Sequence, residues 1–292
     1  MNVHLLDGTY ELFRNYFGAP KRKSPDGREV GATVGLLRSL IALLAQPGAT
    51  HVACAFDHVI ESFRNKLYAG YKTGEGIEPE LFSQFHLAEK AVSALGIVVW
   101  PMVEFEADDA LATAAARWRD AKGVEQVLIC TPDKDLTQSV RANKVVCWDR
   151  RREIVLDENG VVQKFGVHPE SIPDWLALVG DSADGYPGIH GWGAKSASTV
   201  LARFKHLESI PHDHHKWQLN LRGAERLSEN LESHRDEAFL FRKLATLRED
   251  VPIKEKLEEL EWRGAQEPLK SLCSELEIWS KSDYVFGEAR AV

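Results

Sequence analysis

The chain has no apolar run long enough to cross a bilayer, so no membrane-spanning helix is expected. Its start, MNVHLLDG, lacks the basic region, apolar run and cleavage site of a secretory leader. Cysteine is scarce. Cys54, Cys130, Cys147 and Cys273 stand apart without a CxxC pair, as small core residues in a reducing cytoplasm do. No low-complexity tract or long repeat is present, which excludes fibrous and disordered classes. A GxSxG elbow is missing too, so Ser–His–Asp catalysis has no support. Nothing points to obligate association, and a monomer is expected.

What remains is a globular chain of 292 residues, 44% apolar, enough for one large or two modest domains. Its first half alternates apolar strands with amphipathic helices. VHLLD, THVACAFD, GIVVWPM and EQVLIC read as strands. GATVGLLRSLIALLAQPG, SQFHLAEKAVSALG and EADDALATAAARWRDAKG read as helices. NKVVCWD and REIVLD read as a late strand pair. Such alternation predicts an α/β domain with a mostly parallel central sheet. From about Phe165 the chain turns helical, through FGVHPESIPDWLALVGD, SASTVLARF, RLSENLESHRDEAFLFRKLATL and a helix near EPLKSLCSELE. A boundary is expected there, giving domains 1–165 and 166–292.

Carboxylates recur where strands end or helices begin. They are Asp7, Asp57, the Glu106–Asp108–Asp109 group, the Asp133–Asp135 pair and the Asp181–Asp184 pair. Ligands of open α/β sheets gather at the carboxyl ends of the strands. Acids crowded there repel unless cations lie among them, and many hard oxygens suit Mg²⁺ or Mn²⁺. A pair of such ions is a device for breaking phosphodiesters. The net charge of −8 argues only weakly against a nucleic-acid partner. Setting these nine acids aside leaves 35 of 44 against 36 Lys plus Arg, and two divalent ions would compensate four of their charges.

Each motif also has an ordinary reading. First-turn acids complement a helix dipole, but three in four positions exceed what capping needs. The D-K-D of TPDKDLTQ alone is a polar turn. Asp181 and Asp184, spaced by three, can share one side of a helix turn. In PGIHGWGAKSA, Gly188, Gly191 and Gly193 precede a helix start with Lys195 and Ser196, which suits a phosphate more than a plain capped turn. FRNKLYAGYK offers Arg64, Lys66, Tyr68, Tyr71 and Lys72 to phosphates and unpaired bases, or is a solvated face. His212, His214 and His215 read as a loop.

Taken in order, LLDG, AFD, FRNKLYAGYK, EADD, TPDKDLTQ and GDSADGYPGIHGWGAKSA resemble the bacterial 5′–3′ exonuclease and flap endonuclease family, whose domain also stands at the N-terminus of DNA polymerase I. The chain has no room for a polymerase domain, so a stand-alone member is expected. The resemblance implies a PIN-like (resolvase-like) α/β domain followed by a helical domain with a helix–three-turn–helix over about 174–204. It implies one metal on Asp7, Asp57, Glu106, Asp108 and Asp109, and a second on Asp133, Asp135 and Asp184 with Asp181 nearby. The expected ions are two Mg²⁺, with Mn²⁺ as a substitute. Arg64, Tyr71 and Lys72 would be arch or clamp residues that gather a 5′ single strand, with Lys72 on the scissile phosphate. The turn from Gly188 to Ala197 would grip duplex backbone, Lys66 would bind DNA, and K⁺ would bind carbonyls near Ile189 and Trp192. The implied substrates are 5′ flaps, nicked or branched duplexes and RNA primer ends, in replication and repair. One departure stands out: the family continues Tyr–Lys with an Arg, and this chain has YKTGEG, with Glu75 and Gly76 there. The sequence also leaves two other classes open: a non-catalytic DNA-binding protein and an RNA-cleaving PIN-type nuclease.

Overall fold

A computed structural model describes residues 1–277. The end of the expected second domain, 278–292, lies outside the described residues. Strand β1 (Asn2–Asp7) runs directly into α1 (Gly8–Gly18), and α2 (Gly31–Leu44) leads to β2 (Ala49–Asp57). A short α3 (Pro79–Phe82) precedes α4 (Phe85–Ala94), β3 (Val98–Met102), α5 (Ala107–Trp118) and β4 (Gln126–Cys130). Then come β5 (Val145–Asp149), β6 (Ile154–Leu156), α6 (Glu158–Phe165), α7 (Ile172–Val179) and α8 (Ala194–Phe204). The last helices among the described residues are α9 (Ala224–Ser233), α10 (Arg235–Ala245) and α11 (Pro268–Glu275).

These elements form two compact units that do not follow chain order. The first joins Met1–Ile60, Gly74–Thr131 and the segment from Glu249 onward. Its strands β3, β2, β1 and β4 lie side by side and parallel. Parallel strands are covered on both faces, which explains why β1 does not alternate: Val3, Leu5 and Leu6 are all fully buried. Parallel pairing also gathers the carboxyl ends at one edge. Asp7 pairs with Ala55, so Asp57 projects two residues beyond it on the next strand. The returning segment is pinned by indole donors. Trp100 Nε1 donates to Glu255 at 3.0 Å, and Trp262 Nε1 donates to the Leu95 carbonyl at 2.8 Å.

The second unit joins Glu61–Thr73 to Pro132–Arg248. Here β5 and β6 pair antiparallel, and α6 to α10 supply the core. Tyr186 stacks on Phe241 with centroids 5.6 Å apart, and Tyr68 meets that ring edge-on at 5.8 Å.

Three helices differ from the reading of the sequence. Helix α1 was not foreseen, because GTYELFRNYFG is short and mixes polar with apolar residues. Its signals are Asp7, which accepts from Tyr10 N–H as an N-cap, and the buried Leu12 and Tyr16 four apart. FGVHPESIPDWLALVGD is not one helix. Gly166 ends α6 in the left-handed conformation (φ 73°), and α7 starts only at Ile172. RLSENLESHRDEAFLFRKLATL breaks at His234 (φ −127°, ψ 26°), which separates α9 from α10.

Candidate active site

In the first unit the acids close over the sheet edge. Asp7 is 5% exposed; its Oδ1 caps α1 at 2.8 Å from Tyr10 N, and its Oδ2 accepts from Thr131 Oγ1 at 3.1 Å. Asp57 Oδ1 accepts from Ala107 N–H at 2.7 Å, and its own N–H donates to Thr9 Oγ1 at 2.8 Å. The end of β2 is thereby tied to the start of α5. Glu106 is buried beside that start and Asp108 is half-buried in its first turn. Asp109 is fully buried, and its Oδ2 accepts from the Glu106 N–H at 3.0 Å. The ordinary capping reading therefore applies to Asp109, which closes the first turn of α5 onto its N-cap residue Glu106.

In the second unit Asp135, Asp181 and Asp184 bring a carboxylate oxygen each within 4.8 Å of one another. Asp135 and Asp181 are buried and Asp184 is half-buried. Asp133 is exposed, and its Oδ1 accepts from Asp135 N–H at 2.9 Å. Asp181 and Asp184 do not share a helix turn, contrary to the spacing argument. Gly180 (φ 86°) ends α7, and the chain folds into a turn closed by Asp181 and Tyr186, whose backbones exchange bonds of 2.9 and 3.1 Å.

Carboxylates this close raise each other's cost of ionisation. Burial first, then Asp133 and Asp184, push the Asp135 carboxyl well above the usual carboxylate range. Burial also raises the Tyr186 hydroxyl, with Asp135 and Asp184 adding to it. Lys134 partly offsets the acids: its ammonium pairs with Asp181 and lies 3.7 Å from Asp135 Oδ1. Burial lowers its pKa, but Asp135 and Asp181 outweigh that and raise it. Two buried atoms here have no hydrogen-bond partner, Asp135 Oδ1 and Tyr186 OH. A buried carboxylate oxygen without a donor is costly, and a hard cation supplies what it lacks. The donor set fits a divalent ion. The sequence motifs do not single out Lys134 or Tyr186. The lysine was visible between two aspartates, whereas nothing local marked the tyrosine.

The basic stretch divides into residues of different kinds. Arg64 is 1% exposed, and its guanidinium donates to the carbonyls of Leu244 at 2.8 Å and Thr246 at 3.2 Å. A side chain so enclosed is not presented to a passing strand, which corrects its reading as a clamp residue. Tyr71 is 3% exposed, too buried to stack on a base, and its hydroxyl donates to Asp184 Oδ2 at 3.2 Å. Lys72 Nζ lies 3.0 Å from Asp184 Oδ1. Lys66 is exposed. Residues 73–78 form no helix, as the glycines of TGEG suggest.

The glycine turn links α7 to α8. Gly180 and Gly188 approach so closely that a Cβ on Gly188 would fall 2.4 Å from Gly180 N. Gly191 lies in the turn, and Gly193 N-caps α8 with Ser196 bonded to both its N–H and its carbonyl at 3.0 and 2.9 Å. Lys195 is exposed in the first turn. Ile189 and Trp192 are buried, and the Ile189 carbonyl accepts from Trp192 N–H at 3.0 Å. His214 and His215 do not lie in a plain loop: they open a 3₁₀ turn, His214–Trp217, capped by Asp213, with His214 half-buried and His215 exposed.

The chain matches the N-terminal resolvase-like domain of 5′–3′ exonucleases over residues 2–166 and their C-terminal SAM fold over 167–268. It is 33% identical to a 5′–3′ exonuclease of Aquifex aeolicus, over 98% of this chain and 97% of that protein. It is 32% identical to DNA polymerase I of Bacillus caldotenax, of whose length it spans 31%. Its fold is like that of the T5 D15 protein co-crystallised with metal ions (TM-score 0.67, 18% identity, 84% of this chain and 89% of that one). It is also like the Rad2 catalytic core in complex with DNA substrate (TM-score 0.61, 15% identity, 97% and 91%). With both family domains in order along the chain and a relative matched from end to end, this protein belongs to the 5′–3′ exonuclease family.

Proposed function

We propose that this enzyme hydrolyses DNA phosphodiesters near 5′ ends and at flap junctions, using two Mg²⁺ ions for which Mn²⁺ substitutes. The observation that carries the metal reading is the Asp135–Asp181–Asp184 group, with a buried oxygen of Asp135 left without a donor. Asp133, Asp135 and Asp184 would hold one ion with Asp181 in support. Asp7, Asp57, Glu106 and Asp108 would hold the other, with Asp109 fixing the start of α5. The ions, when bound, would supply a hydroxide at neutral pH and neutralise the departing 3′ oxygen.

The chain's own residues prepare for that chemistry. Thr131 and the N-terminal amide of α5 orient Asp7 and Asp57 through bonds of 3.1 and 2.7 Å. Asp184 is held by Tyr71 and Lys72 together. Lys72 would turn from Asp184 to the scissile phosphate when a cation takes over the carboxylate, since its ammonium then has an anion to neutralise. Lys66 and Lys195 are exposed cations for phosphates, and the amides at the start of α8 offer donors with Gly188, Gly191, Gly193 and Ser196 shaping the approach. K⁺ would bind carbonyls near Ile189 and Trp192. The substrates are flaps, nicked or branched duplexes and primer ends in replication and repair, and the protein acts as a cytoplasmic monomer. No described helix is long and apolar enough to cross a membrane.

The test is a 5′-labelled flap duplex incubated with Mg²⁺ or with EDTA, beside Asp133→Asn. Metal-dependent cleavage at the junction that the variant loses supports the proposal. Binding without cleavage in Mg²⁺ and Mn²⁺ overturns it in favour of a DNA-binding module. Preferred cleavage of single-stranded RNA overturns it in favour of an RNase.

A further inference from the structure

A second group of metal-capable side chains lies in the sheet-bearing unit and differs chemically from the carboxylates. His58 follows Asp57 at the end of β2; His86 and Glu89 lie three apart on one face of α4. His58 Nδ1 lies 2.9 and 3.0 Å from the two oxygens of Glu89. His86 Nδ1 lies 3.6 Å from Oε2 of the same carboxylate. One ligand atom from each of the three falls within 4.8 Å of the other two. The imidazoles meet edge-on with centroids 4.5 Å apart.

We propose that His58, His86 and Glu89 bind a transition-metal dication of the zinc type. Donors placed tetrahedrally at about 2.1 Å from one ion lie about 3.4 Å from each other, close to the 2.9 and 3.6 Å separations here. Two imidazoles with one carboxylate form a set that suits Zn²⁺, Ni²⁺ or Cu²⁺ and discriminates against Mg²⁺, which prefers all-oxygen ligands. A simple ion pair needs only one imidazole. Converging two on one carboxylate brings two potential cations together, an arrangement that neutral imidazoles coordinating a shared ion favour. Side-chain exposures of 30, 68 and 12% for His58, His86 and Glu89 leave an entry path and room for a water ligand. The bound ion would staple α4 to the strand end that carries Asp57.

The experiment is a Zn²⁺ titration by calorimetry in saturating Mg²⁺, which occupies the carboxylate groups. Paramagnetic resonance with Cu²⁺ accompanies it, because imidazole nitrogens split the copper signal and carboxylates do not. His86→Ala and Glu89→Gln lie outside the acid groups, and both should keep Mg²⁺-dependent cleavage. Each should weaken Zn²⁺ binding at least about tenfold, and His86→Ala should reduce the nitrogen splitting. Binding and splitting equal to wild type in both variants would overturn the proposal. So would their loss in His214→Ala alone, which would assign the ion to the Asp213–His215 turn.

Discussion

Lys72 is bound to Asp184 twice: its Nζ lies 3.0 Å from Oδ1, and its backbone N–H donates to the Asp184 carbonyl at 3.0 Å. The backbone bond fixes where the side chain starts, and the ammonium can then exchange one anion for another. Lys72→Met keeps the backbone bond and deletes the charge. The cleavage rate of a flap should fall roughly 10²-fold or more. The melting temperature should hardly move, because a partly exposed pair contributes at most about 1 kcal/mol. Single-turnover kinetics beside a thermal melt checks this; unchanged cleavage would remove Lys72 from the chemistry.

The raised carboxyl of Asp135 sets a pH dependence whose sign can be worked out. The folded chain keeps its proton to a higher pH than the unfolded chain does, so more protons are bound on the folded side between the two values. Without metal, that residue makes stability fall as pH rises from the ordinary carboxylate value through the raised one. A divalent ion competes with the proton, so its benefit should grow over the same window. Melts in Mg²⁺ and in EDTA across about pH 5 to 8 should show a widening gap, reaching about 2.7 kcal/mol at a hundredfold excess over Kd. A gap independent of pH would separate metal binding from Asp135.

Arg64 and Lys66 lie two apart in one basic run and should respond oppositely. Arg64→Ala strands the Leu244 and Thr246 carbonyls and opens a cavity, so it should cost roughly 3 kcal/mol in urea unfolding. Lys66→Ala should leave stability within about 0.5 kcal/mol and weaken DNA binding with a shallower salt dependence. If Arg64→Ala instead kept full stability and lost only DNA affinity, the guanidinium would be a contact group.

How far these features could be read in the sequence follows from how local their causes are. Asp7, Asp57 and Glu106 are legible because each ends its own apolar strand or opens its own helix. The burial of Arg64 was not, since its acceptors lie 180 and 182 residues away. Nor was the His58 group, whose partners stand 28 and 31 residues on, with no repeat to announce them. The Asp181–Asp184 spacing was seen but misplaced on a helix, because Gly180 already ends α7 at a φ that only glycine adopts easily.

The glycines of the turn provide a graded test of that backbone reading. Gly188 has φ 72°, and a Cβ there would meet Gly180 N at 2.4 Å and Val179 C at 2.5 Å. Neither neighbour is a flexible side-chain tip, so the backbone itself must shift. Gly188→Ala should therefore cost more than the roughly 1–3 kcal/mol of a strained φ alone, and duplex affinity should fall with it. Gly193 has φ −138°, and a Cβ would meet nothing within 4 Å. Gly193→Ala should stay within about 1 kcal/mol, the loss being that of a good N-cap residue. Urea unfolding and duplex binding of both variants give the comparison. Equal effects would mean that the turn tolerates rearrangement and does not hold α7 and α8 in one fixed relation for gripping backbone.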